Sequence, residues 1–353
     1  MSLQSKIATF DPNGIGLKNG HFIGLPFNEM EAQIVLLSIP WDVTVSYNAG
    51  TALGPLNILE ASPQLDLYDP LVPNAWKMGI FMRKPHKAIL NQSIELRSIA
   101  TSFISFLENQ GDIEDNEEQR VNLNRINYGT EAMVQWVYNE SINLLERNKL
   151  VGVVGGDHST PLGFLNALAK KYDSFGILQI DAHMDLRKAY EHFTHSHASI
   201  FYNALQIPAI SKLVQVGIRD FCEEEVELAK TNPNRIKVFF DHEMHHRKFG
   251  GESWESICHT IVDELPKHVY LSFDIDGLSP DLCPNTGTPV PGGLSFEEAI
   301  YLIHKVVDAG KTIIGFDLCE VAGHGHEWDG NVGARILYKM ANLAGLSQKL
   351  NYQ

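Results

Sequence analysis

The chain has 353 residues, 44% hydrophobic and 20% charged, an ordinary globular composition that can bury a large core and favours one large α/β domain over two. A formal charge of −15 argues against a nucleic-acid or anionic-membrane surface, because neutralising phosphates takes clustered Lys and Arg. No window nears the roughly 18 apolar residues of a membrane helix, the Met-Ser-Leu-Gln start lacks a signal-peptide pattern, and Cys222, Cys258, Cys283 and Cys319 have no CxxC spacing; the expectation is a cytoplasmic protein with reduced thiols and small-molecule partners.

Apolar, β-branched runs predict strands at 33–40, 77–82, 150–154, 175–180, 213–217, 236–240, 268–273 and 312–316. Helical periodicity is read at 131–147, 161–171, 223–230, 253–265, 295–309 and 331–344. The alternation implies parallel βαβ units with helices on both faces of a sheet. Ser295 and Glu298 read as a capping box. The stretch 108–119, rich in Asp, Glu, Asn and Gly, reads as a solvated excursion between helices. The Gly- and Pro-punctuated segment 39–55 would wall a pocket. No internal repeat or low-complexity linker interrupts the chain, so residues 1–353 are expected to form a single catalytic domain.

Three short segments carry the chemistry. Gly155-Gly156-Asp157-His158-Ser159, Asp181-Ala182-His183-Met184-Asp185 and Ser272-Phe273-Asp274-Ile275-Asp276 each follow an apolar run, so each would lie where a buried parallel strand ends. In extended geometry alternate residues share a face, which lets Asp181, His183 and Asp185 point together, and likewise Asp274 and Asp276. The two glycines before His158 remove side-chain obstruction. Carboxylates and imidazoles converging on one rim would repel one another unless cations sat among them, and a pair of divalent metals is the simplest remedy. Carboxylate oxygen with some imidazole suits Mn²⁺, although Co²⁺, Ni²⁺ or Fe²⁺ would bind the same atoms. Two ions about 3.5–4 Å apart would hold a water and lower its pKa, making a nucleophile of it near neutral pH.

The order GGDHS, DAHMD, SFDIDG, followed by Asn285-Thr286-Gly287-Thr288-Pro289 and Pro291-Gly292-Gly293, resembles the ureohydrolase family of arginases and agmatinases from about Pro40 to the final helix. The resemblance implies a three-layer α/β/α fold with an eight-stranded, mostly parallel sheet, a binuclear manganese site and a homo-oligomer. It implies that Asp181 and Asp274 bridge the metals, that His158 and Asp185 complete one, and that His183 and Asp276 complete the other. Glu320 matches the glutamate that holds a guanidinium, a task suited to a carboxylate that accepts two parallel N–H bonds. Thr288 would lie alongside it. His197 falls where these enzymes carry a proton-shuttling histidine, with His195 two residues away as the other candidate.

Two departures bear on the substrate. Ser279 stands where the family usually has an aspartate before Pro280, removing a carboxylate behind the ligands. Arg187 stands where arginases have an asparagine, within the Asp185-Leu186-Arg187 triplet that formimidoylglutamases share. A guanidinium there would favour a substrate bearing a carboxylate, unless it pairs instead with Glu191. The expected activity is agmatinase-like hydrolysis of a guanidino compound, releasing urea. The alternatives are release of formamide from N-formimidoyl-L-glutamate and, motivated by Ser279, a metal-binding homologue without turnover. His242-Glu243-Met244-His245-His246 satisfies the HExxH pattern of zinc proteases but offers no third ligand, and Gly155-Gly156 lacks the spacing of a phosphate loop.

Overall fold

The computed structural model describes residues 3–351. Eight strands form the sheet: β1 (Ile34–Ser38), β2 (Ile80–Met82), β3 (Leu150–Val154), β4 (Phe175–Ile180), β5 (Ile210–Ile218), β6 (Ile236–Phe240), β7 (His268–Asp274) and β8 (Thr312–Cys319). Their spatial order is β2-β1-β3-β8-β7-β4-β5-β6, and every pairing is parallel. Both faces are covered, which is why these strands read as unbroken apolar runs. Successive residues alternate between two cores: Ile34 and Leu36 join one, Val35 and Leu37 the other. Helices Gly54–Ala61, Trp254–Asp263, Phe296–Asp308 and Glu327–Ser347 pack on the first face; Lys87–Glu108, Glu117–Glu146, Leu162–Lys171 and Ile200–Ala204 pack on the second. The result is the expected three-layer α/β/α architecture.

Several boundaries differ from the sequence reading. The second strand begins at Ile80 because residues 75–78 form a 3-10 turn, and the fifth extends out to Ile210 and Ile218. Lys87–Glu108 is the helix before the 108–119 excursion, for which periodicity gave no bounds, and the next helix starts at Glu117 rather than 131, where Asn116 caps it by accepting the Gln119 N–H at 3.1 Å. Its first half buries few apolar side chains because it approaches its neighbour through Gly129, where a Cβ would sit 2.3 Å from Leu96 Cδ1. Close backbone contact replaces the apolar stripe that periodicity detects.

Strand order positions the site. After β3 the chain leaves toward the second face, whereas after neighbouring β8 it leaves toward the first; the same divergence separates β7 from β4. Loops that part in this way open a crevice at the carboxyl ends of the strands. All three ligand-rich segments and Glu320 lie at the carboxyl ends of β3, β4, β7 or β8.

Candidate active site

The cluster is built on backbone geometry at these four strand ends. At Gly156 the chain passes so close to β1's exit that a Cβ would lie 1.8 Å from the Trp41 carbonyl oxygen, and the next amide, Asp157 N–H, bonds that oxygen at 2.7 Å. This turn carries His158 inward. The carboxylates are held by amides: Asp181 Oδ1 accepts His183 N–H (2.7 Å), Asp274 Oδ1 accepts Asp276 N–H (2.9 Å) and Asp276 Oδ1 accepts Ala182 N–H (3.0 Å). Asp185 and Glu320 both adopt left-handed backbone, with φ of 53° and 61°. Such conformations are costly for non-glycine residues and persist where the surroundings hold them.

His158 Nδ1 lies 3.1 Å from Asp181 Oδ2, 3.2 Å from Asp185 Oδ2 and 3.2 Å from Asp274 Oδ2. His183 Nδ1 lies 3.1 Å from Asp276 Oδ2 and 3.6 Å from Asp181 Oδ1. Two groups of ligand atoms, His158–Asp181–Asp185 and Asp181–His183–Asp276, each fall within 4.8 Å, and Asp181 is common to both. The six residues singled out from sequence are therefore brought together.

Three observations fit this cluster to cations. Ser272 Oγ donates to Asp317 Oδ2 (2.7 Å), so its oxygen accepts from His158 Nε2 (2.9 Å); that turns Nδ1 to three carboxylate oxygens, a place for a cation or a proton. Nδ1 makes no directed hydrogen bond despite its burial. Burial pushes Asp274 well above the carboxylate range and Asp185 up to about 7, neighbouring acids adding to both. Burial opposes charge on His158, but Asp181, Asp185 and Asp274 outweigh it and hold the imidazole well above its ordinary value. The pocket thus demands positive charge. A further grouping, His158–Asp317–Cys319, uses the opposite ring nitrogen, and burial keeps the Cys319 thiol protonated.

A cavity of about 150 Å³ opens above these residues, lined also by Arg187, His197, Thr288 and Glu320. Glu320 Oε1 accepts His158 N–H at 3.0 Å, while Oε2 is buried without a partner. Gly287 passes so near that a Cβ would stand 2.7 Å from Oε2. Burial, then Asp157 and Asp276, push Glu320 well above its usual pKa, a strain that an arriving cation would relieve. His197 faces the cavity, whereas His195 lies in a separate surface depression, so the two candidates are distinguished by position. Burial, then positive charge from His183, Arg97 and His158, hold His197 down to about 3.

Arg187 does not pair with Glu191 as the sequence suggested. Its Nε stands 3.8 Å from Glu225 Oε2, and its guanidinium lies 4.7 Å from the Tyr190 ring centroid, with 39% of the side chain exposed. Glu225 is already engaged by the amides of Leu186 and Cys222 at 3.0 and 2.9 Å. Ser279 donates to the exposed Asp281 carboxylate. His242 and His246 sit on helix Asp241–Phe249, exposed, and join no cluster of potential metal ligands among the described residues.

Sequence reasoning missed the polar layer beneath the ligands. Gln179 Nε2 donates to Asp181 Oδ2 (2.8 Å), and Gln215 Nε2 donates to Gln179 Oε1 (2.6 Å). Ser272 and Asp317 support His158 from behind. The available signal was a lone polar residue inside a fully buried apolar run, as in Ile-Leu-Gln-Ile and Val-Gln-Val.

A sequence model described as the arginase family matches residues 32–341. The agmatinase of Neisseria meningitidis is 30% identical over 97% of this chain and 98% of its own. The N(1)-aminopropylagmatine ureohydrolase of Synechocystis is 29% identical, covering 90% and 91%. Among solved structures, a hypothetical agmatinase from Burkholderia thailandensis superposes with a TM-score of 0.70 at 22% identity, covering 95% of this chain and 93% of that one. The arginase of Bacillus cereus superposes at 0.61 and 21% identity, covering 88% and 98%.

Proposed function

The chain belongs to the arginase family, and on that premise we infer that it hydrolyses a linear guanidino compound and releases urea. The observation that carries this reading is the convergence of His158, Asp181, Asp185, Asp274, His183 and Asp276 beneath a cavity whose wall bears an unpartnered carboxylate oxygen of Glu320. His158 and Asp185 would hold one divalent ion, His183 and Asp276 the other, with Asp181 and Asp274 shared. Mn²⁺ is the proposed metal, on the hard, carboxylate-rich donor set. Bound there, two such ions supply Lewis-acid chemistry: they lower the pKa of water and stabilise charge developing on the attacked carbon's substituents.

The remaining work falls to the chain's own side chains. Glu320 Oε2 receives the guanidinium N–H groups and orients the flat cation over the cluster, with Gly287 leaving room and Thr288 beside it. His197, neutral and facing the cavity, accepts a proton set free as water attacks and passes it to the departing amine. Arg187, stacked on Tyr190 at the mouth, engages the far end of the substrate. This favours a guanidino acid such as 4-guanidinobutyrate over agmatine, whose ammonium it would repel. We further propose one catalytic domain, a cytoplasmic location and a homo-oligomeric state.

A second reading, release of formamide from N-formimidoyl-L-glutamate, is favoured by the same placement of Arg187. One assay separates them: Mn²⁺-loaded protein is offered arginine, agmatine, 4-guanidinobutyrate, guanidine and N-formimidoyl-L-glutamate, and urea, formamide and ammonia are measured. Urea supports the first reading. Formamide without urea overturns it.

A further inference from the structure

Thr44, wholly buried in the loop after β1, stands between two groups of the site. Its Oγ1 accepts the backbone N–H of His197 at 3.1 Å and lies 3.4 Å from both His197 Nδ1 and Asp157 Oδ2. We propose that Thr44 is a positioning residue that fixes the tautomer of His197, sending its own proton to Asp157 and receiving Nδ1–H, so that Nε2 meets the reacting groups with a bare lone pair. The proposal rests on the reading of His197 as the proton-transferring group.

The argument is one of counting protons. A hydroxyl has one proton and two lone pairs. The amide of His197 can only donate, so it takes a lone pair. Asp157 Oδ1 is already occupied by the amide and hydroxyl of Ser159, which leaves Oδ2 to accept from Thr44, and the 3.4 Å contact has Thr44 Oγ1 as its donor. The hydroxyl proton therefore goes to Asp157. Nδ1 then faces the second lone pair of Thr44, and also Ser196 Oγ at 3.4 Å, an oxygen that itself accepts the Ala198 N–H. A proton on Nδ1 meets the remaining lone pair of Thr44, and the Ser196 hydroxyl, with its own proton turned away, accepts from it as well. No other described side chain bonds Nε2.

The hydroxyl is also held in place. Arg97 reaches from helix Lys87–Glu108 and donates Nη1 to the carbonyls on either side, Val43 at 3.2 Å and Val45. One residue earlier, Ser93 Oγ accepts the Asp42 N–H (3.2 Å), and Asp42 Oδ2 accepts the Gly50 N–H (2.8 Å). A loop pinned at three points keeps the Asp157–Thr44–His197 relay in register, as preorganised catalysis requires.

The test uses full-length wild type, T44V, T44S and H197A. Histidine-selective ¹⁵N NMR on Zn²⁺-loaded, diamagnetic protein reads which ring nitrogen of His197 carries the proton. The expected wild-type and T44S state is Nδ1–H, with T44V shifting toward a mixture. In steady-state assays T44V should lose about tenfold or more in kcat with KM changed by less than about twofold, and T44S should recover most of it. Nε2–H in the wild type, or unchanged kcat in T44V, overturns the proposal. The wild-type spectrum decides the tautomer even if T44V does not fold. A fully active H197A would overturn the catalytic reading itself, and the spectrum separates that failure from a wrong hydrogen-bond assignment.

Discussion

Asp181 is a side chain on which the site turns, since it belongs both to the group with His158 and Asp185 and to the group with His183 and Asp276. Asp181→Asn should therefore cost both positions: metal analysis is expected to show fewer than one retained ion per chain, and kcat should fall by about a thousandfold or more. Retained stoichiometry in that variant would contradict the shared role. Glu320→Gln keeps the size but, with its oxygen still accepting from the His158 N–H, puts an NH₂ donor where the free carboxylate oxygen would meet the guanidinium. It should raise KM by about tenfold and leave metal content intact, a split that equilibrium dialysis and steady-state kinetics resolve together. These residues were legible in sequence because each follows a run that ends a strand, and position i, i+2 on an extended chain already dictates a common face. Ser272, Asp317, Gln179, Gln215 and Thr44 were not, because what gives each a task is a partner on another strand or loop. Asp317 matters only because β8 lies against β7.

At the level of elements, the capping box expected from Ser295 and Glu298 is present: Ser295 Oγ accepts Glu298 N–H at 3.3 Å and Glu298 Oε2 accepts Ser295 N–H at 2.9 Å. Ser295→Ala should destabilise the protein by about 1 kcal/mol, read as a lower urea midpoint with unchanged slope and unaltered activity, because helix Phe296–Asp308 only covers the sheet. Helix Lys87–Glu108 is a different case. Its buried residues Ile89, Leu96, Ala100, Phe103 and Ile104 do follow helical spacing, but interrupted by polar residues, and its tie to the site through Ser93 and Arg97 is tertiary. Strand existence was readable from apolar content. The order β3-β8-β7-β4 that creates the crevice was not, since each strand's sequence says only that both its faces are buried.

Across the molecule, distant segments are tied by ion pairs such as Glu29, which accepts from Arg83 at 2.7 and 2.9 Å and from Arg147 at 2.6 Å. The Arg83 contact, against opposition from burial and with help from Arg147, lowers the Glu29 carboxyl from 4.5 to about 2. A folded pKa below the unfolded one means the contribution is complete above about 4.5 and lost as pH falls through about 2. With solvent reaching part of the pair, the stability gap between wild type and Glu29→Gln should be about 1 kcal/mol at pH 7 and should close between pH 4.5 and 2 in urea titrations. Stripping metal with a chelator should lower Tm by about 5 °C, because ligands that bind only the folded state stabilise it by mass action. The strand order also sets a timetable. β3 and β4 are made early but are separated in the sheet by β7 and β8, which begin only at His268 and Thr312 and end at Cys319. The halves of the ligand cluster cannot close until that late hairpin-free insertion is complete, so a nascent chain lacking β8 has no assembled cluster. Refolding from urea should accordingly gain helical signal before it gains the capacity to take up metal, making metal uptake a reporter of the last step of folding.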